Sequence, residues 1–182
     1  MVAQRHFLIA PSFARLIQRD RGTTGRIIEG HFPSIPGRRQ LVRVEQGRSL
    51  LILLTQGDNG QFSEEQAEVP LSHAEALMNV AAGMITFDRT ALSLGGGSEA
   101  YLDRFIMPED LDILTVTVPA NPHMFAPLPW FGLEVTDEPA FRARDLALGG
   151  APRINTMEPS NTALNALLDA LESFPLLPPR TT

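Results

Sequence analysis

Fifteen arginines, four histidines, no lysine and no cysteine set the chemistry open to this 182-residue chain. Without a thiol there can be no disulfide, thiolate metal site or cysteine nucleophile. Without lysine there can be no Schiff base and no ammonium grip on phosphate. Anion binding therefore falls to guanidinium groups, whose planar forks suit phosphate and carboxylate alike. His6, His31, His73 and His123 include no pair at the i, i+4 spacing by which a helix presents two imidazoles to one metal. Structural or surface roles are expected for all of them except His6. No Gly-x-Ser-x-Gly nucleophile elbow occurs. The run "LGGGS" (94–98) joins two strand-like stretches and lacks a following Lys-Ser/Thr, so it is read as a hairpin and not as a phosphate loop.

The elements that must position these groups are mostly strands. "QRHFLI" (4–9), "GRIIEGHF" (25–32), "QLVRVEQ" (40–46) and "SLLILLTQ" (49–56) are aliphatic and partly alternating. Gly47-Arg48 and "GDNG" (57–60) read as hairpin connections. "SEEQAEV" (63–69) continues the meander to Pro70. Ser72 and Glu75 form a capping-box pattern that predicts a helix over 72–82. Strands resume at 84–92, 99–106 and 112–118. A short helix is expected from Glu138 to Leu146, stopped by Gly149-Gly150, and an amphipathic one over 160–174 with Leu164, Leu167, Leu168 and Leu171 on one face. About eight strands joined largely by hairpins point to an α+β chain built on an antiparallel barrel or tightly curled sheet.

The segment "PLPWFGLEVTDEPAFRARDLAL" (127–148) and the Gly-x-Pro echo in "GGAPR" (149–153) resemble the C-terminal signature of the CYTH family. That superfamily comprises class IV adenylyl cyclases, thiamine triphosphatases and inorganic tripolyphosphatases, the triphosphate tunnel metalloenzymes. The order of upstream elements agrees, and the likeness spans residues 2–153. The resemblance implies a closed eight-stranded antiparallel tunnel over residues 1–153, with 154–182 as a helix and tail packed on it. It also implies inward basic side chains that hold a triphosphate and inward carboxylates, two apart on a strand, that hold Mg²⁺ or Mn²⁺.

Most of the matching positions have changed. The family's opening Glu-x-Glu-x-Lys falls on Val2, Gln4 and His6, and its Arg-x-Arg on Arg43 and Glu45. The lysine before the hairpin glycine is Gln56, and the next acidic pair is Glu64 and Gln66. Lys-x-Arg becomes Phe87 and Arg89, Glu-x-Asp becomes Tyr101 and Asp103, and the late Glu-x-Glu becomes Thr115 and Thr117. Arg43, Arg89 and His6 are thus the candidate anion ligands. Glu64 and Asp103 are the candidates for a weak metal site, or for pairing with those arginines.

The expectation is a degenerate tunnel, non-catalytic, that binds a small anionic or phosphorylated ligand or serves as an interaction module. The alternative is an active phosphohydrolase or cyclase with a metal site rebuilt around Glu64, Asp103 and Glu68 or Glu134. A third reading is an assembly protein that docks through the Leu164–Leu171 helix, with itself or with another protein. The net charge of −6 argues against nucleic acid or an anionic membrane as the main partner, and no apolar run reaches the length of a membrane span. A cytoplasmic setting is the default. Trp130 is expected to cover one end of the tunnel, and Glu134 to reach the interior or cap neighbouring amides.

Overall fold

The computed structural model describes residues 3–33, 35–94, 99–118, 125–154 and 158–173. Val2, the glycines of the 94–98 hairpin, His123 and the tail from 174 onward lie outside them. Eight strands form one antiparallel sheet: β1 (Ala3–Leu8), β2 (Gly25–His31), β3 (Arg38–Glu45), β4 (Arg48–Gln56), β5 (Phe62–Glu68), β6 (Gly83–Ser93), β7 (Glu99–Met107) and β8 (Leu111–Val118). Their order is β1-β8-β7-β6-β2-β3-β4-β5. Four helices accompany them: α1 (Pro11–Arg21), α2 (Leu71–Met78), α3 (Ala143–Gly149) and α4 (Asn161–Ser173), with a 3₁₀ turn, Pro139–Phe141, just before α3.

The β3–β4 turn is set by Gln46 and Gly47, both at positive φ (50° and 77°), the backbone a two-residue hairpin of this twist requires. α1 went unread in the sequence because Ala10, its N-cap, offers no side-chain acceptor. Pro11 at its first turn, the buried stripe Phe13, Ala14, Ile17, and Arg19 and Arg21 in the last turn nevertheless suit a helix. The Ser72–Glu75 capping box does not form. Pro70 is the N-cap, and its carbonyl already accepts from the His73 and Ala74 N–H groups, so the helix begins one residue earlier than Ser72.

Hydrogen bonds do not close the sheet, because the two end strands, β1 and β5, do not pair with each other. The free edge of β1 is taken by residues 132–136. Gly132 N–H donates to the Leu8 carbonyl, Leu8 N–H to the Leu133 carbonyl, and Val135 N–H to the His6 carbonyl, at 2.9, 2.9 and 2.8 Å. The other edge, β5, is exposed along its whole length, and Glu64, Glu65 and Glu68 keep it charged. Charge on an open edge opposes pairing with a foreign strand.

Each face of the sheet has its own core. On the outer face Phe7, Leu92, Leu102, Leu114 and Val116 pack beneath α1, α4, Trp130 and Phe131. Trp130 therefore does not cover the tunnel end: its ring lies 4.5 Å from that of Phe131 in the outer core, which in turn stacks on Phe7 at 4.9 Å. In α4 it is Ala163 and Leu167 that are buried, while Leu164 and Leu168 stay 37% and 40% exposed. The helix is thus rotated from the all-leucine face expected for it. α2 packs on the outer face of β2–β4, where a Cβ on Gly30 would come within 2.9 Å of Met78 Sδ.

The inner core is smaller. Ile27, Ile85, Phe87, Phe105 and Ile113 are covered by Leu146 of α3, with Phe141 and Ala147 beside it. This cover depends on Gly83. A Cβ there would sit 2.0 Å from the Ala147 carbonyl oxygen, a backbone atom that cannot swing aside. Gly83→Ala is expected to destabilise the protein by about 2 kcal/mol or more, at the upper end of overpacking costs, and to raise amide exchange across Ala143–Gly149. Gly149→Ala, with nothing within 4 Å of the added carbon, serves as the control and should change stability by less than about 0.5 kcal/mol.

Candidate functional site

Pairing fixes which side chains share the inner face. His6 is opposite Thr115, Thr115 opposite Tyr101, and Asp103 opposite Arg89. Phe87 is opposite Ile27, Ile27 opposite Glu45, and Glu29 opposite Arg43. Arg43 is opposite Leu50, and Leu50 opposite Glu68, so Gln66 and Glu64, two and four residues along β5, look the same way. Among the described residues, the positions that match the family motifs therefore share one face.

Their chemistry is largely spent on one another. Arg89 donates from Nε and Nη2 to the two oxygens of Asp103, at 2.7 and 2.8 Å. Its guanidinium also lies over the rings of Phe87 and Tyr101, at 5.4 and 5.3 Å. Arg43 donates from Nε to Glu29 Oε1 at 2.8 Å, with Nη2 at 2.6 Å from the same oxygen. His31 Nε2–H donates to Glu29 Oε2 at 2.9 Å. The side chains of Glu29 and Asp103 are only 3% and 10% exposed. A buried carboxylate is tolerable only when paired and hydrogen-bonded in this way.

Glu29 and His31 were missed as site residues. The signal was present in "IIEGH", where an acid and an imidazole two apart on a strand must face the same side. Burial works against the Glu29 charge, but the His31 hydrogen bond and the Arg43 charge overcome it and hold its carboxyl below the usual range. Burial pushes the Asp103 carboxyl up, against the pull of Arg89, while Asp103 outweighs burial at Arg89 and keeps that guanidinium charged.

Between the inner face and residues 135–143 lies a cavity of about 380 Å³. Gln4, His6, Thr115, Tyr101, Arg89 and Asp103 give it a polar floor, Phe105, Ile113, Val135 and Phe141 apolar walls. Thr136, Glu138 and Arg142 also line it. They flank the 3₁₀ turn, because the helix expected from Glu138 begins only at Ala143. His6 and Arg89 thus line one cavity. Arg43 is not among its lining residues; it is held at Glu29. Burial pushes the His6 imidazole below its ordinary 6.5, the Asp103 charge opposing this and the Arg142 charge adding to it. His6 Nδ1 and Thr115 Oγ1 are within hydrogen-bond distance at 3.0 Å.

A divalent cation does not fit the candidate carboxylates. Both Asp103 oxygens face Arg89. Glu64 is exposed on β5, bonded by the Gln66 amide and separated from β7 by four strands in the sheet order. Glu68 is near Arg48 at 3.5 Å. Glu134 does not reach the interior: Arg5 Nε donates to it at 2.8 Å, and Arg5 stacks on the outer-face ring of Phe7. Among the described residues no cluster of three or more His, Asp or Glu side chains could hold a metal ion.

Two outcomes are expected. Arg89→Met, which strands Asp103, should cost about 3 kcal/mol, the low end for a broken buried pair because a third of Arg89 meets solvent. Adding Asp103→Leu should recover most of that loss, as read from denaturant midpoints around a double-mutant cycle. For His6 the folded state disfavours the proton, so its contribution is complete above pH 6.5 and is lost as pH falls below that value. His6→Asn should therefore flatten the stability–pH curve below about pH 6.5, relative to the parent protein.

No family model and no curated protein matches the sequence. Solved structures do match. The crystal structure of the hypothetical protein NE1496 is 21% identical, over 82% of this chain and 99% of that one, with a TM-score of 0.61. A crystal structure of the inorganic triphosphatase NE1496 is 20% identical, over 84% of this chain and 97% of that one, with a TM-score of 0.62. Identity at this level speaks for the fold alone. The chain has the eight-stranded antiparallel, α+β tunnel-type fold of its CYTH-type structural neighbours, with the sheet left open between β1 and β5.

Proposed function

We propose that the chain is a non-catalytic member of this fold group that binds a small, weakly charged anion in the cavity beside Arg89 and His6. One observation carries the reading: the inward arginines that a polyphosphate would need, Arg43 and Arg89, are each committed to a buried carboxylate. A ligand with several negative charges would have to pull a guanidinium away from Glu29 or Asp103 and leave that acid buried without its partner, at a cost of several kcal/mol. A ligand with about one charge needs no such exchange. The fold is one on which an inorganic triphosphatase is built, so a phosphate-bearing ligand is compatible with the architecture. Its catalysis would need metal clamps that the carboxylates here are not arranged to supply. No helix among the described residues is long and apolar enough to cross a membrane, and a cytoplasmic setting accords with this reading.

Phosphate release from inorganic triphosphate and from nucleoside triphosphates, each with Mg²⁺ and with Mn²⁺, provides the test. Release at the buffer-only rate is expected under every condition. Metal-dependent turnover near 1 s⁻¹ or above, the ordinary range of enzymes, would establish the active hydrolase instead.

A further inference from the structure

We propose that the cavity is a receptor for a small organic monocarboxylate with an apolar body, its charged head gripped by Arg142. This rests on the reading above that the cavity binds an anion, and it names the anion's class and the residue that selects it.

Arg142 lies between the 3₁₀ turn and α3, exposed at the cavity wall. Among the described residues no acid pairs with it, in contrast to Arg89 on the floor. Its charge nevertheless reaches His6 across the cavity. Arg89 has given one N–H each from Nε and Nη2 to Asp103, which leaves Nη1 and the second Nη2 hydrogen to offer a ligand. The floor adds neutral hydrogen-bonding groups: the Gln4 amide and the hydroxyls of Thr115 and Tyr101.

The charges around the cavity set how many a ligand can carry. Arg89 and Arg142 are balanced by Asp103 and Glu138, and His6 is held towards its neutral form. A planar carboxylate can take the fork of Arg142 while bringing a single negative charge. A phosphomonoester dianion or a polyphosphate brings further charge towards Asp103 and Glu138, with no second free guanidinium to meet it. The walls supply the rest of the recognition: Phe105, Ile113, Val135 and Phe141 present apolar surface, in a space of about 380 Å³. That is within the range of small-molecule sites, where apolar lining supplies affinity and a few polar groups fix orientation.

Calorimetric titration of the full chain at pH 7 with benzoate, hexanoate, benzamide, inorganic phosphate and tripolyphosphate tests this. Benzoate or hexanoate should bind at least about tenfold tighter than benzamide or phosphate, about one charge-assisted contact. Arg142→Gln should lose at least that factor for the carboxylate without moving the thermal unfolding midpoint. Arg142→Lys, which keeps the charge but not the fork, should fall between the two. Carboxylate binding should also shift the ring signals of His6 and leave those of His73 on α2 in place.

Failure to bind either carboxylate, or binding that Arg142→Gln leaves unchanged, overturns the proposal. Tighter binding of phosphate than of carboxylate also overturns it, while leaving the non-catalytic anion-binding function standing. Metal-dependent hydrolysis of tripolyphosphate would instead remove that function.

Discussion

A carboxylate buried in a sheet must be neutralised where it lies, and two such carboxylates govern the inner face of this protein. Glu29 holds Arg43 and His31; Asp103 holds Arg89. The two pairs also sense each other, since the Glu29 charge adds to the upward push on Asp103 and helps keep Arg89 protonated. The result is a network that is internally balanced before any ligand arrives. The family resemblance implies opposed walls of fixed charge; here the opposing charges lie together on neighbouring strands. The same contacts that make the acids tolerable remove the arginines from service as free cations.

The rest of the architecture is arranged around that balance. The outer core, under α1, α4 and the Trp130 segment, holds β1, β8, β7 and β6 in register, and register decides that Asp103 meets Arg89 and not a hydrophobic neighbour. The inner core under α3 fills part of the concavity with Phe87, Phe105 and Leu146. Phe87 stands where the family resemblance implies a lysine. Its ring packs on Phe105 at 5.0 Å and beneath Arg89 at 5.4 Å, so a side chain of the inner core stands where the resemblance implies a cation. The segment from Gly132 to Arg142 serves both faces: it completes the edge of β1, anchors Trp130 and Phe131 outside, and lines the cavity inside.

Much of the fold was legible because strand alternation and hairpin glycines are local signals. The eight strands and their antiparallel sense follow from them, while the shared face of His6, Arg43, Glu64, Arg89 and Asp103 was implied by the family resemblance and is borne by the register. What was not legible depended on long-range contacts. α1 has no capping side chain to announce it, and the capping box at Ser72 was displaced by Pro70, whose carbonyl had already begun the helix. Trp130 looked like a tunnel cover until packing placed it against Phe131 and Phe7. At the site, the sequence left Asp103 to pair with either Arg43 or Arg89, and the β6–β7 register sets it beside Arg89. The partner of Arg43 could not be assigned without the register that sets Glu29 beside it. Arg142 and Glu138 belong to the cavity only because residues 132–136 dock on β1 and carry them there.

The central claim is that Arg43 and Arg89 are held by buried carboxylates and are not open to a polyanion. The most direct measurement follows the arginine Nε–H signals of these two residues by nuclear magnetic resonance as tripolyphosphate and Mg²⁺ are added. Slowly exchanging signals, unmoved by saturating tripolyphosphate, are the result expected of donors bonded to Glu29 and Asp103. Large shifts of both signals on addition, with Asp103 or Glu29 released to bind the cation, would contradict it.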